Sequence, residues 1–330
     1  MKATRSDAAA VLAKLVALGG AGSEIVEFGR SQATAESGPG RVRIGVHRHG
    51  ALPRGPLDEF DILLSANADA PCPWVGTDRL DDALAGLIVA IERQPVAATV
   101  AAQVLRMSLV LPFGQALLME SLAYSMLLAS GGFRAWRAAK PARVCKDGNA
   151  PRIISEHDGD TLRIRLNRPE VRNAFDTAMR DELVAALEYA ITAASSGRVE
   201  LSGIGLAFSA GGDLDEFGRA DDVGLAHLIR TLQSATRLVD ELNQRLFVRL
   251  HGACIGSGIE IAAAAAHVAA ETGAFFRLPE VGMGLIPGAG GTASIPRRIG
   301  RQRACYMVVS GADLDCNTAL AWGLVDEVER

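Results

Sequence analysis

Two glutamates stand where glutamates are rarely found. Glu260 sits in GACIGSGIEIAAAAAHVAA, residues 252–270, at the head of a run of small and apolar residues. Glu280 follows Pro279 in FRLPEVGMGLIPGAGG and precedes a loop carrying Gly282, Gly284, Gly288, Gly290 and Gly291. A carboxylate in apolar company is costly unless it is paired, exposed at a helix end, or kept for chemistry. Two such acids near one another suit general acid–base work, one taking a proton from water while its protonated partner delivers one to carbon. Two carboxyl groups close together do not both ionise easily, so one stays protonated near neutral pH. Taken singly, each has an ordinary reading: Glu280 as a solvated turn residue, Glu260 as a helix-end acid.

Two glycine-rich turns accompany them, AFSAGGDLDEF at 207–217 and IGSGIE at 255–260. Glycines after a strand let backbone approach a ligand closely, and two such turns make a pair of N–H donors for a developing oxyanion. Either turn alone is more often only a turn.

These residues need a scaffold, and the texture of the chain supplies one. From TLRIRLNRP onward, alternating strands and helical segments follow: TAMRDELVAALEYAI as a helix, RVELSGIGLAF as a strand, GLAHLIRTLQSATRLVDEL as one helix, RLFVRLHGACI as a strand. This alternation predicts α/β units with ligand sites at strand-to-helix turns. Before it, DRLDDALAGLIVAIERQP places Leu80, Leu84, Leu87, Ile88 and Ile91 on one helical face. Helices are further predicted over about 96–109 and 115–136, the segment 138–151 reads as a linker, and 30–56 reads as loops around at most a short strand at VRIGVHR.

The chain has 330 residues, 49% hydrophobic and 22% charged, with a net charge of -4. That balance gives no basic footprint for nucleic acid. Five widely spaced cysteines without C-x-x-C or zinc-type histidine spacing read as reduced thiols with no metal site. The opening segment reads as an amphipathic helix, and the longest apolar run is shorter than the ~20 residues of a membrane span. The expectation is a cytoplasmic protein with no membrane partner.

At this point a resemblance emerges, covering roughly 152–328. RLNRPEVRNAF, AFSAGGDL, HGACIGSGIEIA, LPEVGMGLIPGAGGT and ALAWGLVDEV, in that order, resemble the motifs of the enoyl-CoA hydratase/isomerase (crotonase) superfamily. The resemblance implies an α/β fold with a β-β-α spiral core, acyl-CoA thioester substrates, no cofactor beyond the coenzyme A of the substrate, and assembly as a homotrimer or dimer of trimers. It implies Glu260 and Glu280 as the acids bracketing a water, Gly288 as the glycine whose N–H helps hold it, and Ala210 and Ser257 as the backbone donors of the oxyanion hole. Ser257 departs from the family's run of glycines, which puts acyl-chain preference in doubt while keeping a donor. Arg172, Ala174, Gly211, Gly212 and Asp213 are implied in coenzyme A binding.

The implied activity is enoyl-CoA hydration in fatty acid metabolism. The alternatives are double-bond isomerisation, cofactor-free oxygenation, or a catalytically idle scaffold; the presence of both acids favours hydration. Family members continue past GLVDEVER with covering helices, and 80–136 resembles those helices, with Pro95 breaking the first and Glu120 in the last. The expected organisation is a circular permutation: an N-terminal extension, 1–77, partly irregular; a helical region, 78–137, of the trimerisation type; a linker, 138–151; and the spiral core, 152–330. The other reading of 78–137 is an unrelated helical appendage.

Overall fold

The computed structural model describes residues 22–29, 40–140, 150–193 and 197–329. The expected linker lies mostly outside the described residues, as does the opening amphipathic helix. Among the described residues three sheets form. The largest is six-stranded, in the order β13 (Glu327–Glu329), β10 (His267–Glu271), β8 (Leu246–Leu250), β7 (Arg198–Gly203), β6 (Thr161–Leu166) and β5 (Ile153–Asp158). Its pairs are parallel except the β5–β6 hairpin. A three-stranded sheet, β12 (Leu314–Asp315), β11 (Phe275–Arg277) and β9 (Ala253–Ile255), turns away from it and carries the chain into the site.

Helices follow the strands and fill the space between them. In β6 Leu162, Ile164 and Leu166 are buried while Arg163 is exposed, the alternation that the sequence displays. The helix α5 (Thr177–Thr192) starts at Asp176, whose side chain accepts from the Met179 N–H, and buries Met179, Leu183, Val184 and Leu187. The segment expected as one helix over GLAHLIRTLQSATRLVDEL is two, α6 (Val223–Leu232) and α7 (Ala235–Leu242). Ser234 causes the break: its side chain accepts from the Arg237 N–H and so caps a new helix. The apolar stretch after Glu260 divides likewise, into the short helix α8 (Ser257–Ala262) and β10.

The region 78–137 is helical as expected, but in four pieces: α1 (Leu80–Arg93), α2 (Pro95–Ser108), α3 (Phe113–Leu128) and α4 (Gly131–Ala138). Pro95 opens α2 and turns it by 109° from α1. Ser130 caps α4 at a bend of 62° from α3. The first three pack against α9 (Gly291–Ile299) or α10 (Arg301–Ser310) of the core, and α4 packs against the turn at 280–283.

The expectation of a partly irregular N-terminal extension with at most a short strand at VRIGVHR is corrected for its described part. Residues 23–76 contain a four-stranded parallel sheet, β1 (Ser23–Glu27), β2 (Val42–His47), β3 (Ile62–Ser65) and β4 (Val75–Gly76). The strand β2 coincides with the short strand expected at VRIGVHR and is buried at every position, whereas β1, β3 and β4 lie outside that expectation. Asp61, beside β3, is almost fully buried and receives Arg106 of α2 at 2.6 Å and Arg301 of α10 at 3.4 Å. Arg303 of α10 donates to the carbonyls of Trp74 and Ala70. The sheet is thereby bound to the core by hydrogen-bonded charges.

Candidate active site

The strand β9 delivers the chain to Gly256, and α8 begins at the next residue. Gly256 has φ 50° and ψ -122°. A Cβ there would meet Glu280 Oε1 at 2.6 Å and Glu260 Oε1 at 3.8 Å. Only glycine tolerates both this backbone and this crowding. The two acids, 20 residues apart in sequence, therefore face the same point.

Glu260 is 2% exposed and Glu280 7%. Their environments differ. Glu260 Oε2 accepts from the N–H groups of Ala289 at 2.7 Å and Gly291 at 3.0 Å. Burial pushes its pKa up to about 7, while the N–H groups of Ala289, Gly291 and Gly288 hold it down by favouring the charged form. Glu280 Oε2 has no hydrogen-bond partner. Burial, and then the charge of Glu260, raise Glu280 well above the ordinary carboxylate range. Of the two, Glu260 loses its proton first and Glu280 keeps its own.

A third acid enters from the other half of the chain. Glu120 of α3 is 2% exposed and accepts from the Gly290 N–H, the Thr292 N–H and the Thr292 hydroxyl, each at 2.7 Å. The N–H groups of Ala289 to Thr292 are thus shared in strict alternation: Glu260 takes the first and third, Glu120 the second and fourth. The start of α9 is clamped from two sides. Burial, then the charge of Glu260, raise the Glu120 pKa to about 8. Its neighbour on the helix, Tyr124, packs on Gly288, where a Cβ would come within 2.5 Å of the ring.

The expected oxyanion pair needs one correction. Ala210 does not offer its N–H to the site, since it donates to the Arg172 carbonyl at 2.8 Å. Ser209 bridges to Cys254 and Gly212 to Phe175, and between these bridges the chain turns at Gly211, φ 90°, with the Ala210 amide spent on Arg172. Gly212, two residues on, lines the cavity together with Ser257, Glu260, Glu280 and Gly288. Its N–H and that of Ser257 donate to no protein acceptor among the described residues. The Ser257 hydroxyl is likewise buried without a partner. Such orphaned polar groups in a folded chain mark a place for a ligand.

The residues implied in coenzyme A binding lie around the same turn. Arg172 is exposed, with φ 54°, and its carbonyl is the acceptor for Ala210. Ala174 accepts from Arg168, and Gly211 has φ 90°. Asp213 pairs with Arg168 at 2.8 Å, so its carboxylate serves to hold the turn. The cavity itself measures about 940 Å³ and reaches from this turn to α3 and α6. Glu120, Tyr124 and Arg230 in its wall were not among the site residues expected from sequence. Among the described residues no group of three or more His, Cys, Asp or Glu side chains is arranged to hold a metal.

Comparison with known proteins decides what this arrangement belongs to. The sequence profile of the enoyl-CoA hydratase/isomerase family matches residues 156–329. The chain belongs to this family. It is 36% identical over 176 residues to a 2,3-dehydroadipyl-CoA hydratase of Escherichia coli K12, covering 53% of this chain and 68% of that protein. It is 31% identical to an enoyl-CoA isomerase/hydratase of Mycosarcoma maydis, covering 49% of this chain and 63% of that one. Among solved structures, an enoyl-CoA hydratase from Thermoplasma volcanium is 31% identical with a TM-score of 0.51, covering 55% of this chain and 72% of the other. The fold is that of the crotonase superfamily, and the matches span about two thirds of the relatives' own lengths.

Proposed function

We propose that the chain is an enoyl-CoA hydratase. The observation that carries this reading is the buried pair, Glu260 and Glu280, facing one point at Gly256 beside the N–H groups of Gly212 and Ser257. The thioester oxygen accepts from those two N–H groups, which stabilise the enolate that forms as water adds. Ionised Glu260 takes a proton from the water as its oxygen bonds to Cβ. Protonated Glu280 gives its proton to Cα as the double bond is lost. The product carries a hydroxyl on Cβ and a hydrogen on Cα, and the proton left on Glu260 balances the one that Glu280 gave up.

The reaction draws on the chain's own carboxylates, with coenzyme A entering as part of the substrate. An isomerase needs one group to shuttle a proton along the chain, whereas two acids with pKa values pushed apart suit hydration. The helices α1–α4 stand, in this reading, for the family's terminal covering helices in permuted order. Their supply of Glu120 and Tyr124 to the site supports that. Exposed Leu118, Leu122, Met126, Leu225 and Leu228 on α3 and α6 support assembly as a homotrimer or paired trimers.

The test is the decay of enoyl absorbance with a trans-2-enoyl-CoA. Glu260→Gln and Glu280→Gln should each lower turnover by at least ~100-fold with thioester binding retained, since a general acid or base contributes roughly 10² to 10⁴. Near-native rates in both would refute the two-acid mechanism.

A further inference from the structure

The wall of the cavity contains a cation that, among the described residues, forms no ion pair, the carboxylate whose charge acts on it being Glu120. Arg230 of α6 is partly buried and lines the cavity with Glu260, Glu280 and Ser257. Its Nη1 donates to the Ser121 hydroxyl at 2.9 Å and the Ser125 hydroxyl at 3.1 Å, both on α3. Its guanidinium carbon lies 4.5 Å from the centre of the Tyr124 ring. Its Nε and Nη2 have no acceptor among the described residues, and no carboxylate there forms an ion pair with it.

Other charges around the cavity are either partnered or, like Arg219 and Asp221, exposed to solvent. Asp213 pairs with Arg168, Arg180 with Asp181, and Arg237 with Glu241. Glu216 accepts from the Thr177 N–H and hydroxyl. A partly desolvated guanidinium with unpaired donors is costly, and burial works against its charge. Two serine hydroxyls, the Ser121 carbonyl and an aromatic face hold Arg230 in one orientation, and the charge of Glu120 favours its cationic form without forming an ion pair with it. That is the arrangement of a receptor for an anion, which the planar fork of arginine fits in bidentate fashion when the anion is a carboxylate.

The position sets where that anion sits. Tyr124 touches both Arg230 and Gly288, so one aromatic ring spans the distance from the guanidinium to the loop that holds Glu260. We propose that Arg230 is a specificity-determining residue that binds a carboxylate at the far end of the acyl group, making the substrates short α,β-unsaturated dicarboxylic acyl-CoA thioesters. This rests on the reading of the cavity as an enoyl-CoA site. A phosphate of coenzyme A offers similar chemistry, and the experiment separates the two.

Binding is measured by calorimetry with two saturated, unreactive thioesters of equal length, hexanoyl-CoA and its analogue ending in a carboxylate. The native protein should bind the carboxylate-terminated thioester about 10- to 100-fold more tightly, the range of a charge-assisted contact. Arg230→Met should abolish that preference and leave hexanoyl-CoA binding unchanged, and Arg230→Lys should keep part of it. A native protein without the preference would overturn the proposal, whether or not the variants fold. Equal weakening of both thioesters in Arg230→Met would assign the residue to coenzyme A instead. Binding of neither by the native protein would overturn the acyl-CoA reading itself, and Arg230's role with it.

Discussion

At the scale of single residues, the two catalytic candidates are distinguished by what surrounds them rather than by type. Backbone N–H groups favour the ionised form of Glu260, and an unpartnered oxygen beside a like charge favours the protonated form of Glu280. The proposed roles need Glu260 without its proton and Glu280 with it. The kcat/KM profile should therefore be bell-shaped, rising through about pH 7 as Glu260 ionises and falling at higher pH as Glu280 does. A profile without a falling limb would remove the acid role from Glu280. The same shift has a consequence for stability. In the unfolded chain Glu280 ionises near pH ~4.3, whereas folding holds its proton to higher pH. From that pH upward the native state binds the extra proton, so rising pH costs stability until the folded pKa is passed. Glu280→Gln should be more stable than the native protein at pH 8 by thermal unfolding, while being far less active. An unchanged or lower Tm would contradict the burial cost assigned here.

Elements explain why some of the site was legible in the chain and some was not. Glu260 follows, and Glu280 precedes, glycines required by local backbone and crowding, so short windows of sequence expose them. The oxyanion donor was displaced by two residues because the turn at 209–212 spends the Ala210 amide on Arg172, a pairing set by register and not by composition. Glu120 was visible only as one position on a predicted helix. Its bonds cross 170 and 172 residues of chain, beyond any local pattern. The break between α6 and α7 escaped because the apolar spacing continues through it, and the cap at Ser234 overrides that spacing. Since Glu120 and Glu260 grip alternate N–H groups at the start of α9, loss of one loosens the support of the other. Glu120→Gln, which turns a donor toward those N–H groups, should lower stability by about 1–3 kcal/mol and cut turnover at least ~10-fold. Full activity with an unchanged Tm would show that the clamp plays no part in holding the site.

At the scale of the whole molecule, two parts of the chain share one core and one cavity. The family match begins at residue 156, yet Glu120 and Tyr124 in the site come from α3. The N-terminal sheet, of which only β2 was expected from sequence, is joined to the core through Asp61 and its arginines on α2 and α10. Removing one partner from such a buried cluster leaves charges uncompensated, at a cost of about 3–5 kcal/mol. Asp61→Ala should therefore lower the cooperative unfolding transition of the entire protein, followed by circular dichroism and by loss of activity together. Two separated transitions, with the catalytic one unmoved, would mean that the N-terminal sheet is an independent appendage.

The central claim, that Glu260 and Glu280 add water across an enoyl thioester, is tested most directly by turnover in H₂¹⁸O followed by mass spectrometry of the product. A 3-hydroxyacyl-CoA carrying one ¹⁸O on Cβ, formed by the native protein and at least ~100-fold more slowly by Glu280→Gln, is the predicted result. An unlabelled positional isomer of the substrate, or labelled product formed at the native rate by Glu280→Gln, would contradict it.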